Sequence, residues 1–234
     1  AAVASFSQLV TGHSSADGVA KNQPPKLAAF EGHYEGDGPA DLYLFGWVDE
    51  KNRKVYGPAI PGGLSFLVHF NFEEPIPGLQ DFPEDDIPGA VNAVFQFYHL
   101  MVALGLFFIA LTLLGTFMWW RGRLFNQRWL LWVFVVSVIL SQLANQFGWF
   151  AAEMGRQPWV VYGLLRTSDA LSVVVTAEQV LFSLVMFALI YLLLFLLFIY
   201  LLNKKIKAGP YDESEEDDRP LQRGMAGVME NTVQ

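Results

Sequence analysis

A short run of reactive side chains follows the second of three long apolar stretches in this 234-residue chain. The run reads EMGRQPW and holds Glu153, Arg156 and Trp159 within one stretch of seven residues. A carboxylate in this position could pair with a cation, either the Arg156 guanidinium or a bound metal ion. The sequence alone leaves two interpretations open: a solvated helix cap, or the rim of a site.

The residues before this run form a polar stripe on the same predicted helix. Gln142, Gln146, Trp149 and Glu153 are separated by four, three and four residues, which places them on one helical face. Polar side chains are costly in lipid, so such a face turns toward protein, cofactor or water. Hydrogen bonding between packed helices explains this stripe as well as a bound group does.

Two further candidates lie on the first apolar stretch. Met101 and His99 are two residues apart, so they point to different sides of a helix and cannot readily bind one iron together. A methionine in a membrane helix usually serves packing. The other histidines, His13, His33 and His69, are scattered and form no metal-binding pair. Spacing therefore gives no independent evidence for a metal site.

Composition indicates an integral membrane protein. Hydrophobic residues make up 53% of the chain, and their long blocks each exceed the roughly 20 residues that cross a bilayer as a helix. The absence of cysteine excludes disulfides and thiolate metal sites. No phosphate-binding glycine loop, nucleophile elbow or basic nucleic-acid patch is present. We predict an all-α integral membrane protein with three full transmembrane helices, the end of a fourth and a long outer loop.

Basic residues predict the orientation of these helices. The segments RGRLFNQR and NKKIK are rich in arginine and lysine, which favours the cytoplasmic side. The first ten residues are apolar but too short to span, so we predict a C-terminal portion of a longer polypeptide or one piece of a split subunit. The predicted divisions are the end of a transmembrane helix (1–11), an outer loop (12–90), a transmembrane helix (91–120), a cytoplasmic loop (121–128), a transmembrane helix (129–152), a second outer loop (153–172), a transmembrane helix (173–203) and an acidic, disordered cytoplasmic tail (204–234).

Three ordered motifs carry a family resemblance. The segments KLAAFE, YHLMVALG and FGWFAAEMGRQPW together resemble subunit I of the cytochrome bd quinol oxidases. The resemblance runs from the N-terminus to the end of the third span. It implies the C-terminal portion of a subunit, of the short outer-loop class, that oxidises quinol and reduces oxygen to water in the bacterial cytoplasmic membrane. The outer loop is then expected on the periplasmic or extracellular side.

The resemblance also implies cofactor ligands. The family pattern makes Met101 an axial ligand of a low-spin haem b iron and Glu153 an axial ligand of a high-spin haem b iron. Trp149, Arg156 and Trp159 match family positions that line the haem region. A third haem, haem d, is implied as the site at which oxygen is reduced, with electrons passing to it from quinol through the two b haems.

The KLAAFE segment implies a quinol site. Lys26 and Glu31 match family residues implicated in quinol oxidation, where they would bind the head group or take its protons. Without the resemblance, they read as charged residues on a short interfacial helix. His99 departs from the family, which often has an arginine there, and this leaves the potential and pH response of the low-spin haem open.

Partners follow from what this segment lacks. The family's histidine ligands to haem d and to the low-spin haem lie on helices that precede this segment. We therefore expect the remainder of subunit I, in the same or a split chain, to complete the site beside subunit II, within membrane lipid and without nucleic acid. Small accessory subunits and the choice of ubiquinol or menaquinol remain open.

Two other classes of function were weighed. A non-catalytic, diverged half-subunit could serve as a membrane scaffold, but it would have no need for Met101 or Glu153. A solute transporter would be expected to carry paired broken helices around a midplane site, and this sequence lacks them.

Overall fold

The chain is mostly helical, and a computed structural model describes residues 1–172 and 174–209. The described residues form six α-helices: α1 (Ala2–Asn22), α2 (Pro24–Glu31), α3 (Gly63–His69), α4 (Val91–Trp120), α5 (Arg128–Arg156) and α6 (Ala177–Ala208). They also form three antiparallel two-stranded ladders: β1 (Leu42–Tyr43) with β4 (Ala59–Ile60), β2 (Trp47–Asp49) with β3 (Lys54–Tyr56), and β5 (Trp159–Val161) with β6 (Leu165–Arg166). The chain divides into two compact units, Ala1–Leu171 and a second that begins at Ser172 and contains α6.

Three helices of the described chain, α4, α5 and α6, are long and apolar enough to cross a membrane, which confirms the prediction. The 30 residues of α4 extend about 45 Å at 1.5 Å per residue, against roughly 30 Å of bilayer core. Helix α6 begins later than predicted because the Thr176 side chain caps it, accepting a hydrogen bond from the Gln179 amide. Val173 and residues 210–234, which hold most of the predicted acidic tail, lie outside the described residues.

The first helix is longer than the sequence analysis predicts. Helix α1 continues to Asn22, past the last apolar residues near position 11. An ion pair between Lys21 and Asp17, 2.7 Å long and one turn apart, supports its polar extension. The helix ends at Asn22 because the next residue, Gln23, precedes Pro24, and a residue before proline is disfavoured in the helical conformation.

Helices α4 and α5 form an antiparallel pair joined by residues 121–127. Gly115 of α4 faces the Phe134 ring of α5, and a Cβ at Gly115 would lie 2.5 Å from Cζ of that ring. Two leucines one helical turn away are also buried: Leu111, which precedes Gly115 on α4, and Leu130, which precedes Phe134 on α5. The glycine therefore allows the two helices to approach closely, as small residues do in membrane helix pairs.

The main core of the first unit lies where α2 meets α4 and α5. It gathers residues from α2, α4, α5 and the intervening loop: Ala28, Ala29, Phe30, Tyr34, Val48, Leu79, Val91, Val94, Phe95 and Ala151. Gly32 ends α2 in the left-handed conformation, with φ of 62°. A Cβ on Gly32 would lie 2.7 Å from Val55 Cγ2, so both the turn and the packing favour glycine.

A second, smaller core fixes the loop between α2 and α4. Leu27, Ala40, Leu64 and Ile76 are buried together. Beside them, the fully buried Ser65 hydroxyl accepts a hydrogen bond of 2.8 Å from the Ala40 amide. This bond ties the chain before β1 to the start of α3.

We predict that Ser65→Ala destabilises the first unit by about 1–3 kcal/mol, because it leaves the buried Ala40 amide without an acceptor. Thermal unfolding of the purified protein checks this. Ser7→Ala is the matched control, since the Ser7 hydroxyl is exposed and donates only to a carbonyl of its own helix. Equal effects of the two substitutions would contradict the role assigned to Ser65.

Candidate functional site

The candidate site lies at the α2 end of the α4–α5 pair, where α4 begins and α5 ends. Every residue of α2 from Pro25 to Glu31 is buried there. Gly155 of α5 permits this contact, because a Cβ on it would lie 3.0 Å from Phe30 Cε1 and 3.3 Å from Lys26 Cγ. The missing side chain thus lets α2 bring its charged residues directly against the membrane helices.

Lys26 is a buried cation in this site, with 9% of its surface exposed. Burial lowers the pKa of its ammonium group; the nearby Arg156 guanidinium lowers it further, while the Glu153 carboxylate acts in the opposite direction. The Nζ atom lies 5.6 Å from the centre of the Phe30 ring. The structure therefore brings Lys26, Glu153 and Arg156 within electrostatic range of one another.

Glu153 and Arg156 form an ion pair near the end of α5. The Arg156 Nη2 atom lies 3.2 Å from Glu153 Oε1, and the side chains are 37% and 41% exposed respectively. The pairing with Arg156 that the spacing suggested is therefore present. An ion pair this exposed contributes only about 0–1 kcal/mol in water, so it does not fix the Glu153 carboxylate in place.

Trp159 adds an unused hydrogen-bond donor to the same region. Its indole Nε1 is buried and finds no hydrogen-bond partner among the described residues, which costs about 1–3 kcal/mol for a neutral group. The Arg166 guanidinium lies over the Trp159 ring, with Cζ 4.8 Å from the ring centre. The same guanidinium forms an ion pair with Asp86, with Nη2 2.6 Å from Oδ1. A narrow cleft of about 10 Å³ lies beside Lys26, Arg156 and Trp159, which is room for about one water molecule. All three offer N–H donors, which suits a negatively charged ligand.

Glu31 forms a second cluster at the other end of α2. It is 2% exposed, and burial raises the pKa of its carboxyl group to about 8, although a hydrogen bond from the Tyr98 hydroxyl acts in the opposite direction. The Oε2 atom has no hydrogen-bond partner in the part of the chain that the structure describes and lies 3.9 Å from His99 Nε2. Glu31 therefore holds a proton at neutral pH and releases it close to pH 8.

His99 fastens the loop to α4 beside Glu31. Its Nδ1 lies 2.9 Å from the Phe95 carbonyl oxygen of its own helix. Its Nε2 lies 2.8 Å from the Tyr43 carbonyl oxygen in β1. The ring also stacks on Phe95, with ring centres 3.9 Å apart. His99 thus contacts the loop, the α4 backbone and the buried carboxyl group at once.

Met101 faces α5 rather than the loop. A Cβ on Gly148 would lie 2.7 Å from Met101 Sδ, so the thioether lies directly against the α5 backbone. Met101 and His99 therefore have different surroundings, as their two-residue separation predicts. Aromatic rings pack between the helices here, with the Phe97 and Phe150 centres 5.2 Å apart.

The predicted site residues fall in separate places. Lys26, at the start of α2, lies near Glu153, Arg156 and Trp159 at the end of α5 and just beyond it. Glu31, at the end of α2, lies near His99 of α4. Met101 lies further along the helix pair, and Trp149 is 57% exposed. Among the residues that the structure describes, no three His, Asp or Glu side chains form a group that could hold a metal ion. Met101 and Glu153 could each supply a single ligand to a haem.

Sequence reasoning missed three residues of the site. Tyr98 contacts Glu31 across 67 positions of sequence, and no local signal marks this contact. Gly148 and Gly155 contact Met101 and α2 respectively. These glycines are seven residues apart and so share one helical face, a pattern that indicates close helix packing. That spacing could have identified both of them.

The comparisons with known proteins agree on one family. Residues 1–210 match the family model described as cytochrome bd terminal oxidase subunit I. The chain is 32% identical over 218 residues to cytochrome bd ubiquinol oxidase subunit 1 of Bacillus subtilis, covering 89% of this chain and 47% of that protein. It is 26% identical over 281 residues to cytochrome bd-II ubiquinol oxidase subunit 1 of Escherichia coli, covering 92% and 54% respectively.

A solved structure gives the same result. The bd oxidase from Geobacillus thermodenitrificans matches with a TM-score of 0.73 and 30% identity, over 90% of this chain and 48% of that chain. This chain spans about half the length of the curated relatives it matches. The family and the three apolar helices imply a bacterial inner-membrane protein. The match over residues 1–210 shows that the chain belongs to the cytochrome bd terminal oxidase subunit I family.

Proposed function

We propose that this chain forms the C-terminal half of the subunit that oxidises quinol and reduces oxygen to water in a cytochrome bd-type oxidase. The observation that carries the proposal is the burial of Lys26 and Glu31 against the two helices that hold Met101 and Glu153. The names of the Bacillus subtilis and Escherichia coli relatives indicate the reaction, since both are called ubiquinol oxidase subunits.

Glu31 and Lys26 suit the proton chemistry of quinol oxidation. A quinol loses its hydroxyl protons as it is oxidised, so the site needs a group that accepts a proton near neutral pH. The Glu31 carboxyl group, with its pKa raised to about 8, is such an acceptor in its ionised form, which is the minor form at pH 7 and predominates above pH 8. Its Oε2 atom has no hydrogen-bond partner among the described residues. Lys26 donates a hydrogen bond to the oxygen of the head group, which orients the ring.

The residues present fit one side of each haem that the family implies. Met101 offers a thioether held against α5, and Glu153 offers a half-exposed carboxylate bound only loosely by Arg156. The unpartnered Trp159 Nε1 and the Arg156 guanidinium suit the carboxylate of a haem propionate. When bound, the haems supply the electron transfer that links quinol to oxygen.

The two ligand types differ in a useful way. The thioether of Met101 is a soft, neutral ligand that favours ferrous iron and so raises the potential of a low-spin haem. The carboxylate of Glu153 is a weaker-field ligand, which is compatible with a high-spin iron. These chemistries match the two different b haems that the resemblance assigns to Met101 and Glu153. Haem d would be held by residues outside this chain.

The polar face of α5 indicates where the rest of the oxidase binds. Gln142 is exposed and Trp149 is 57% exposed, although both lie on a membrane-spanning helix. An uncovered amide in lipid is costly, so another protein segment must cover this face. The remainder of subunit I, which would supply the missing haem ligands, is our proposed cover, with subunit II beside it.

Basic residues orient this assembly. The connection between α4 and α5 and the C-terminal end of α6 are rich in arginine and lysine, so we place both on the cytoplasmic side. The α2 end of the helix pair then faces the periplasm. Quinol would be oxidised on that side, and its protons would be released there.

A non-catalytic scaffold fits these contacts less well. Burial of Glu31 disfavours its charged form, and one of its oxygens is left without a partner. Such a group lowers stability and has no use in a purely structural role. Family membership gives the scaffold hypothesis no support either.

We predict that Met101→Leu removes the low-spin haem signal while the oxidase still assembles, because leucine keeps the volume but lacks the sulfur ligand. The reduced-minus-oxidised absorption spectrum of the complete oxidase checks this. Met118→Leu on the same helix is the control and should leave the spectrum unchanged. A normal low-spin signal in Met101→Leu would exclude the methionine as a ligand.

We predict that the rate of quinol oxidation rises with pH up to about 8 and then levels off, because the pKa of the Glu31 carboxyl group is about 8 and only the ionised form accepts a proton. Glu31→Gln should remove this rise and slow quinol oxidation by roughly 10²–10⁴-fold, the range typical of general-base catalysis. Tyr98 and His99 also face this carboxyl group. The pH profile of Glu31→Gln should therefore be compared with the pH profile of the parent protein.

The control for this experiment is Glu35→Gln, since Glu35 is an exposed acid of the same loop. Oxygen reduction driven by an artificial electron donor should stay near normal in Glu31→Gln. Equal slowing of both reactions would mean that Glu31 acts on structure rather than on quinol. The same pKa shift makes the fold progressively less stable as the pH rises from about 4.5, the ordinary pKa of the carboxyl group, to about 8, because the unfolded chain ionises there and the buried group does not.

We predict that Glu153→Gln lowers high-spin haem content and oxygen consumption, because the amide keeps the shape of the side chain but lacks the charge that balances ferric iron. The low-spin haem should largely remain. Haem quantification and oxygen-electrode measurements on the complete oxidase check this, with Asp169→Asn, an exposed acid, as the control. Full haem content with normal turnover would return Glu153 to the role of a helix cap.

A further inference from the structure

Gly148 is the point at which α5 meets the Met101 side chain. A Cβ on Gly148 would lie 2.7 Å from Met101 Sδ and 3.4 Å from Met101 Cγ, and no third atom lies within 4 Å of it. Ordinary carbon–sulfur contact needs clearly more than 2.7 Å. The hydrogen of Gly148 is therefore the largest group that this position accepts while the sulfur stays where it is.

The atom in contact makes this glycine different from Gly115 in the same helix pair. At Gly115 the obstructing group is the Phe134 ring, which is rigid and bulky. At Gly148 it is the sulfur of an unbranched side chain with three rotatable bonds, which moves aside at a lower cost than a ring. A methyl group at position 148 would therefore displace the sulfur and leave the α5 backbone where it is.

We propose that Gly148 is a positioning residue that sets where the Met101 thioether lies. The inference rests on the proposed function, in which that sulfur would be a ligand of the low-spin haem. The α5 backbone at Gly148 acts as a stop for the sulfur, so the distance between the two helices fixes the ligand atom. Gly148 acts through Met101 and need not touch the haem.

We expect Gly148→Ala to change the position of the Met101 sulfur but hardly the stability of the protein. Replacing a glycine by alanine inside a helix stabilises the helix by roughly 1 kcal/mol, which offsets a cost of similar size for moving the Met101 side chain. Gly148→Ala should therefore leave the assembled protein close to its normal stability. The consequence should appear at the sulfur, because that is the atom that moves.

The test is Gly148→Ala in the complete oxidase, read out by redox titration of the low-spin haem absorption band. We expect haem content to be kept and the midpoint potential to shift to a lower value, because a weakened thioether bond stabilises ferrous iron less. Two controls bracket this result. Gly105→Ala lies on α4 with no atom within 4 Å of the new carbon, and Gly115→Ala crowds the same helix pair away from Met101.

Both controls should keep the potential, and Gly115→Ala alone should lower the unfolding temperature. An unchanged potential and spectrum in an assembled Gly148→Ala oxidase would overturn the inference, as would an equal shift in Gly115→Ala. Met101→Leu separates this failure from failure of the proposed function. If Met101→Leu removes the low-spin signal and Gly148→Ala has no effect, only the role of Gly148 is lost.

A stability measurement keeps the inference testable if Gly148→Ala assembles poorly. In the double variant Gly148→Ala with Met101→Ala, the sulfur that the new methyl group would meet is gone. Contacting residues show coupled effects on stability, whereas separated residues show additive ones. We expect the double variant to unfold at a higher temperature than additivity predicts. Additive effects would show that the two positions do not interact and would overturn the inference.

Discussion

The arrangement of the whole site depends on how closely α2 approaches α5 at Gly155. A Cβ at that position would lie 3.0 Å from Phe30 and 3.3 Å from both Lys26 and Val94, so a hydrogen is the only group that fits without a shift. Once α2 is seated there, Lys26 meets the charged residues at the end of α5. The other end of the same short helix then places Glu31 against Tyr98 of α4. One packing contact therefore sets both ionisable groups.

Burial shifts the pKa values of Lys26 and Glu31 in opposite directions, and both shifts favour the uncharged form. It raises the pKa of the Glu31 carboxyl group to about 8 and lowers the pKa of the Lys26 ammonium group. Both pKa values are thereby shifted toward the neutral range. Such shifts are a disadvantage for stability, since each favours the uncharged form of a group that water would solvate. Perturbed groups in a cleft are instead typical of sites that move protons.

The sequence predicts what depends on local pattern and misses what depends on distant contacts. Three spanning helices follow from the length of the apolar runs, and the Glu153–Arg156 pair follows from a spacing of three on one helix. The sequence predicts too early an end for α1 because the apolar residues stop before the helix does, and the helix continues until Pro24 forces it to end. The contact of Glu31 with Tyr98 depends on the fold of an entire loop, so no periodicity records it.

The two faces of α5 explain why the candidate ligands belong to separate groups. One face carries the small residues Gly148, Ala151 and Gly155, which lie three and four residues apart and pack against α4 and α2. Met101 reaches α5 on this closed face. Glu153 follows Trp149 on the polar face, which other residues of the first unit leave exposed. A group bound by Met101 thus lies among segments already present, whereas a group bound by Glu153 needs a second protein segment to enclose it.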